Sequence, residues 1–148
     1  MNEFELTITI ERPIEAVWTY SQDLSRYPEW NPGVIAARQT SPGPMQVGAT
    51  LAFTGKLLGR SYESQAECTA YIPMERFTSR STSGPFLLEV DTRLEPVDGG
   101  TKMTSTYRGE SRGFMKLAEP VAVRVARKQF EAANENLKAL LESEPVPE

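Results

Sequence analysis

The sequence predicts an α+β fold: a seven-stranded antiparallel sheet wrapped around a long C-terminal helix, with two short helices between strands one and two. Three observations predict it. Apolar and polar residues alternate with a period of two at the N-terminus and again from Val34 to Arg108, the pattern of strands with one buried face. From about Phe114 to Glu142 the period becomes that of a helix. Between the first strand and the rest lies Tyr27-Pro28-Glu29-Trp30-Asn31-Pro32-Gly33. Proline fixes φ and disfavours helix at the residue before it, so this segment is a stiff corner, and Trp30 is expected to be mostly buried there as an anchor.

The elements follow in order. Phe4, Leu6, Ile8 and Ile10 alternate with Glu5, Thr7, Thr9 and Glu11, which makes strand one. Arg12-Pro13 ends it, and Pro13 suits a first helical turn. Ile14, Val17 and Trp18 are spaced for one helix face, so residues 13–22 are expected to be helical. Asp23 to Tyr27 form a second short helical turn, stopped by Pro28. Turn signals then divide the strands at Ser41-Pro42-Gly43-Pro44, Leu58-Gly59-Arg60, Ile72-Pro73-Met74, Gly84-Pro85 and Asp98-Gly99-Gly100. Short turns between consecutive strands mean an antiparallel meander with one wet face. In the last helix, Ala118, Val121, Ala122, Val125, Ala126, Ala133, Leu137 and Leu140 group on one side, and Pro120 starts or kinks the regular part.

Composition narrows the function. The 148 residues suit one domain, read as 1–142 with a polar flexible tail at 143–148. Net charge is −4, and the basic group Arg124, Arg127 and Lys128 is offset by Glu131, Glu135 and Glu142. That argues against a nucleic-acid partner. Cys68 is the single cysteine, so no internal disulfide forms, which fits a reducing, cytoplasmic setting. There is no histidine, which excludes Ser-His and Cys-His pairs and His-ligated metal. Glu63, Glu67, Glu89, Asp91 and Glu95 fall on outward strand phases, so neither metal nor cofactor is expected. The first ten residues lack a basic start and a continuous apolar run. No stretch approaches the ~18 apolar residues of a membrane span.

Pro13-x-x-x-Val17-Trp18, Pro28-x-Trp30-x-Pro32, Val47-Gly48, Gly59-Arg60, Gly100-Thr101 and the final helix, taken with the element order, resemble the START-like superfamily. The match is to its helix-grip fold and to the bacterial branch usually labelled polyketide cyclase/dehydrase or SRPBCC. The resemblance covers essentially the whole chain. It implies a cavity for hydrophobic ligands between the curved sheet and the last helix. It also implies a mouth formed by the loops after strands three, five and seven: Leu57-Leu58-Gly59-Arg60, Ser83-Gly84-Pro85-Phe86 and Ser111-Arg112-Gly113-Phe114. Leu58, Phe86 and Phe114 would be its apolar gate residues.

The residues themselves also point to a cavity. Ser79, Ser81 and Ser83 on one strand, and Ser64, Ala66, Cys68 and Ala70 on its neighbour, are small for an inner face. The opposite phase would bury Arg76 and Arg80 at high cost. The expected lining is Phe53, Tyr62, Ser64, Ser79, Ser81, Leu88, Val90, Met103 and Tyr107 from the sheet, with Val125, Gln129 and Ala133 from the helix. The expected volume is roughly a few hundred Å³. Gln129 and Asn136 lie on the apolar stripe and either orient a ligand or bond to strand backbone. Tyr62 and Tyr107 either line the cavity or pack in the core. Cys68 reads as a small buried hydrophobe. The leading function is binding or carriage of a hydrophobic small molecule (a lipid, polyketide or aromatic). The alternatives are a cyclase/dehydratase acting on a polyketide-like substrate, for which no catalytic constellation is visible, and a protein-interaction module, which would need a contiguous exposed apolar patch. Nothing in these patterns specifies the ligand or the oligomeric state.

Overall fold

A computed structural model of the chain describes residues 2–57, 59–111 and 119–143. Strand β1 (Asn2–Ile10) is followed by helix α1 (Ile14–Gln22), a 3₁₀ turn (Leu24–Arg26) and helix α2 (Tyr27–Trp30). Then come β2 (Val34–Gln39), β3 (Thr50–Leu57), β4 (Arg60–Ile72), β5 (Arg76–Ser83), β6 (Phe86–Val97), β7 (Gly100–Ser111) and helix α3 (Glu119–Ser143). The seven strands form one sheet in the order β1-β7-β6-β5-β4-β3-β2, with every pair antiparallel. This is the α+β architecture the alternation predicts.

The serine phase of β5 faces the helix. Its opposite phase carries Arg76, which pairs with Asp91 at 2.9 Å, and Arg80, which pairs with Glu67 at 3.0 Å. Burial alone would raise the Asp91 carboxyl, but hydrogen bonds from Arg76, Thr78 and Arg93 outweigh it and hold the group below its ordinary value. The guanidinium groups thus stay on the outer face, where solvating them is cheap.

Helix α3 is tied down at both flanks. Towards β1, Lys138 Nζ donates to the Thr9 carbonyl at 2.7 Å, the Glu11 N–H donates to Glu142 at 2.8 Å, and Arg12 donates to the Glu142 carbonyl at 2.5 Å. Towards the opposite edge, Gln129 donates to the Lys56 carbonyl at 3.3 Å and Asn136 to the Trp30 carbonyl at 3.0 Å. The core lies between helix and sheet and includes Ile10, Val17, Trp18, Leu51, Phe77, Leu94, Met103, Leu137 and Leu141.

Four expectations are corrected. Pro28 does not stop a helical turn but sits in the first turn of α2, where its missing N–H leaves no hydrogen bond broken. Trp30 is half-buried rather than mostly buried, packed against the core edge and Tyr27. The β4 alternation slips between Cys68 and Ala70 through a register shift against β5, and beyond it Tyr71 packs on Trp18. The stripe of α3 is centred on Ala122, Ala133, Leu137 and Leu141. Val121, about 100° around the axis from Ala122, is 51% exposed. Pro120 is the second residue of α3 and so begins it. The helix extends to Ser143, the first residue of the expected 143–148 tail, and the rest of that tail, residues 144–148, lies outside the described residues, as does Ala118.

Candidate ligand-binding site

The concave face of the sheet and α3 enclose two adjoining chambers. The main one has a volume of about 180 Å³ and the second about 120 Å³. Of the residues singled out from the sequence, Phe53, Tyr62, Ser64, Ser79, Ser81, Leu88, Val90, Met103, Tyr107, Gln129 and Ala133 line the main chamber. Val125 does not: it is half-buried on the flank of the helix, outside the lining of either chamber. The reason is the helix rotation that also exposes Val121.

Each chamber is smaller than the few hundred Å³ expected, and Phe130 takes up part of the space. Its ring stacks on Tyr107 with centroids 4.1 Å apart, and Tyr107 in turn stacks on Phe4 at 4.9 Å. Phe130 lines both chambers, as do Tyr62, Ser64, Ser81, Leu88, Tyr107 and Gln129. Sequence reasoning missed it, although Ala122, Ala126 and Phe130 step along α3 at helical i, i+4 spacing. It also missed Tyr27, whose ring lies 5.0 Å from Trp30 and 6.2 Å from Phe53, and Asn134, which is buried in the main chamber wall. The corner segment therefore contributes wall as well as anchor.

Close backbone approaches shape the wall. A Cβ at Gly55 would come within 2.6 Å of the Tyr62 ring, so only glycine lets that ring lie across β3. A Cβ at Gly33 would meet Gln129 Oε1 at 2.6 Å. Gln129 thus combines both readings given for it, lining the chambers while bonding strand backbone. Asn136 is exposed and bonds only to backbone among the described residues.

The hydroxyls differ in what they can offer a ligand. Backbone pairing of β5 with β6 stops at Arg80 opposite Glu89. Beyond it Ser81 Oγ donates to the Leu88 carbonyl and accepts from the Leu88 N–H, each at 3.2 Å. Ser81 is therefore occupied in closing the ladder. Thr92 and Ser105 share a hydroxyl contact at 3.4 Å in the same wall.

At the expected mouth, Phe86 packs edge-on against Tyr62 with centroids 5.4 Å apart and lines the second chamber. Gly59 and Arg60 are exposed at the β3–β4 turn, and Gly84 and Pro85 are half-buried at the β5–β6 turn. Leu58 and Phe114, the other expected gate residues, lie outside the described residues.

The main chamber's electrostatics are those of neutral groups, whereas Glu119 lines the second chamber. Among the described residues, no Asp, Glu, Lys or Arg lines the main chamber. Burial pushes the Tyr27 phenol up to about 12, with Tyr107 adding to the shift. Burial also pushes Tyr107 up to about 12, against a smaller lowering by a hydrogen bond with Ser105. Tyr62 is raised by burial as well. At neutral pH these phenols are protonated and can donate hydrogen bonds, but they cannot serve as bases. The Cys68 thiol is raised by burial and donates to the Ala70 carbonyl at 3.3 Å, which makes it unreactive. No group of three His, Cys, Asp or Glu side chains among the described residues is placed to hold a metal ion.

The raised phenols give a pH prediction. An unfolded tyrosine ionises near its ordinary value of 10.0, whereas Tyr27 and Tyr107 hold their protons to about 12 in the fold. The unfolded state therefore loses its protons first as pH rises, so stability should fall between those two values and be unaffected by these groups at neutral pH. The loss should be on the order of 2 kcal/mol for each phenol. Urea unfolding at stepped alkaline pH measures it, and Tyr27→Phe or Tyr107→Phe should flatten the curve.

A helix gripped by a curled antiparallel sheet around a largely apolar hollow defines a START-like fold. The chain belongs to the family described as polyketide cyclase/dehydrase and lipid transport, whose sequence profile matches residues 1–142. Among solved structures it is similar to the Zhui aromatase/cyclase from Streptomyces sp. R1128, with 15% identity, a TM-score of 0.82, and coverage of 95% of this chain and 93% of that one. It is similar to a START superfamily protein from Mycobacterium smegmatis, with 16% identity, a TM-score of 0.80, and coverage of 95% and 97%. It also resembles the major latex-like protein 151 of Panax ginseng, with 9% identity, a TM-score of 0.68, and coverage of 93% and 95%. At these identities the likeness is one of fold. A search of curated proteins found no match. Among the described residues, no helix is long and apolar enough to cross a membrane.

Proposed function

We propose that this protein binds or carries a neutral, hydrophobic small molecule in the paired chambers. The observation that carries the reading is the absence of any charged side chain from the main chamber's described wall. Affinity would come from apolar surface removed from water, about 25 cal/mol per Å². Hydroxyl and amide groups would orient the ligand. A charged ligand would lose its hydration without gaining a counter-charge. We read the single domain as residues 1–142 and its setting as cytoplasmic, the latter from the lone, buried cysteine. The proposed ligand set is Phe53, Tyr62, Ser64, Ser79, Leu88, Val90, Met103, Tyr107, Gln129 and Ala133, joined by Tyr27 and Phe130.

Native mass spectrometry of protein purified from its own host tests the reading. One neutral small molecule per chain, released on unfolding, is the expected result. Empty protein that also takes up no neutral lipid or aromatic probe in titration would overturn it.

One structural neighbour is an aromatase/cyclase, which favours a second reading, in which the cavity folds a polyketide-like chain for cyclisation. Protonated Tyr27, Tyr62 and Tyr107 could polarise a substrate carbonyl, and confinement could supply orientation. No histidine or carboxylate stands in the described main wall to remove a proton, and Glu119 lines only the second chamber, so binding is the stronger proposal. The interaction-module reading has less support. Among the described residues, Ile35, Val47, Ile72, Val97 and Val121 are the exposed large apolar ones, and they sit on separate segments from β2 to α3.

A further inference from the structure

Asn134 is a feature of the chamber wall that packing does not account for. It sits on the core-facing side of α3, in line with Phe130 and Leu137 and Leu141. The residue is more than nine-tenths buried, at 6% exposed, and it lines the main chamber. Among the described residues no group hydrogen-bonds to its side-chain amide, yet that amide is not among the polar atoms sealed off from solvent-sized space. A primary amide brings two N–H donors and an acceptor oxygen. Burying one without partners costs stability, and a leucine of nearly the same shape would avoid that cost. A polar group kept at such a position and open to a hollow is placed to meet a polar group arriving from the hollow.

We propose that Asn134 is the recognition residue for the polar end of a neutral, ring-bearing ligand, a phenol or an aryl ketone. The proposal rests on the binding reading above and names the chemistry of that site. Size argues for a ring. A dry cavity of about 150 Å³ accommodates benzene, and the main chamber is about 180 Å³. The wall argues for it too, because Tyr27, Phe53, Tyr107 and Phe130 present aromatic faces and edges for stacking. The polar group follows from the amide, which donates to a carbonyl or both donates to and accepts from a hydroxyl. Charge is excluded by the uncharged wall. The second chamber, past Phe130, would hold a short apolar substituent.

The test compares 2-naphthol with 2-methylnaphthalene, two probes of nearly equal shape, on the full chain and on Asn134→Leu. The wild type should bind the naphthol about 10-fold or more tighter, the scale expected where a buried polar group is otherwise left unpaired. Asn134→Leu should remove that preference while keeping affinity for 2-methylnaphthalene. Ligand-free Asn134→Leu should also melt about 2–4 °C higher, because the unpaired amide is gone. Should that variant fail to fold, Asn134→Ala carries the same comparison. Equal affinities in the wild type, or a preference that survives the substitution, would overturn the proposal and leave the binding reading standing. A lower melting temperature with unchanged selectivity would make Asn134 purely structural and overturn it as well. Failure of the wild type to bind either probe would overturn the ring-bearing ligand proposed here, and the binding reading would fall with it only if a neutral lipid probe is not bound either.

Discussion

Trp18→Ala should destabilise the protein by about 3–5 kcal/mol, the range for deleting a large buried aromatic. Trp18 is 5% exposed, and its ring packs at 5.7 Å against Tyr71. It stands on α1 beside Val17, which is fully buried, so its removal leaves a void where the short helices meet the sheet. The surrounding strands are fixed by their ladders and can collapse only partly. Urea unfolding of the two proteins measures the difference. A loss under about 1 kcal/mol, the scale of surface changes, would mean that α1 is not part of the core. The same substitution at Trp30 should cost less, because that ring is only half-buried.

Ser64→Phe should abolish binding of neutral apolar probes, with a loss of about 100-fold or more, equivalent to about 2.7 kcal/mol. Ser64 lines both chambers. No hydrogen bond of its hydroxyl is found among the described residues, so replacing it breaks nothing in the wall. A phenyl group there fills space a ligand would take. Thermal unfolding should shift by only a few degrees, because the ring enters a hollow rather than a packed core. Fluorescent-probe titration and melting curves read the two effects separately. Undiminished binding in a folded variant would place the ligand elsewhere. Ser81→Phe is a poorer test, because it also removes the hydroxyl that closes the β5–β6 ladder.

The sequence by itself determined the sheet, the order of its elements and, except in β4 beyond Cys68, which strand residues share a face. Strict period-two alternation leaves one register compatible with burying Phe53, Met103 and Tyr107 while keeping Arg76 and Arg80 in water. For that reason the sheet side of the chamber wall was legible before any coordinates. The rotation of α3 was not. Its apolar residues spread over Val121, Ala122, Val125 and Ala126, more than one face can bury, so periodicity left the angle open by about one residue step.

Tertiary structure decided that angle through contacts between distant segments, such as the Glu11 amide bonding to Glu142 across 131 positions. The rotation it fixed turned Val125 to the flank and Phe130 onto Tyr107, where it lines both chambers. The same rotation set Asn134 against the chamber. A sequence period states which residues share a face. Whether two facing surfaces interdigitate or leave a void depends on side-chain volumes brought together only when the helix seats in the sheet.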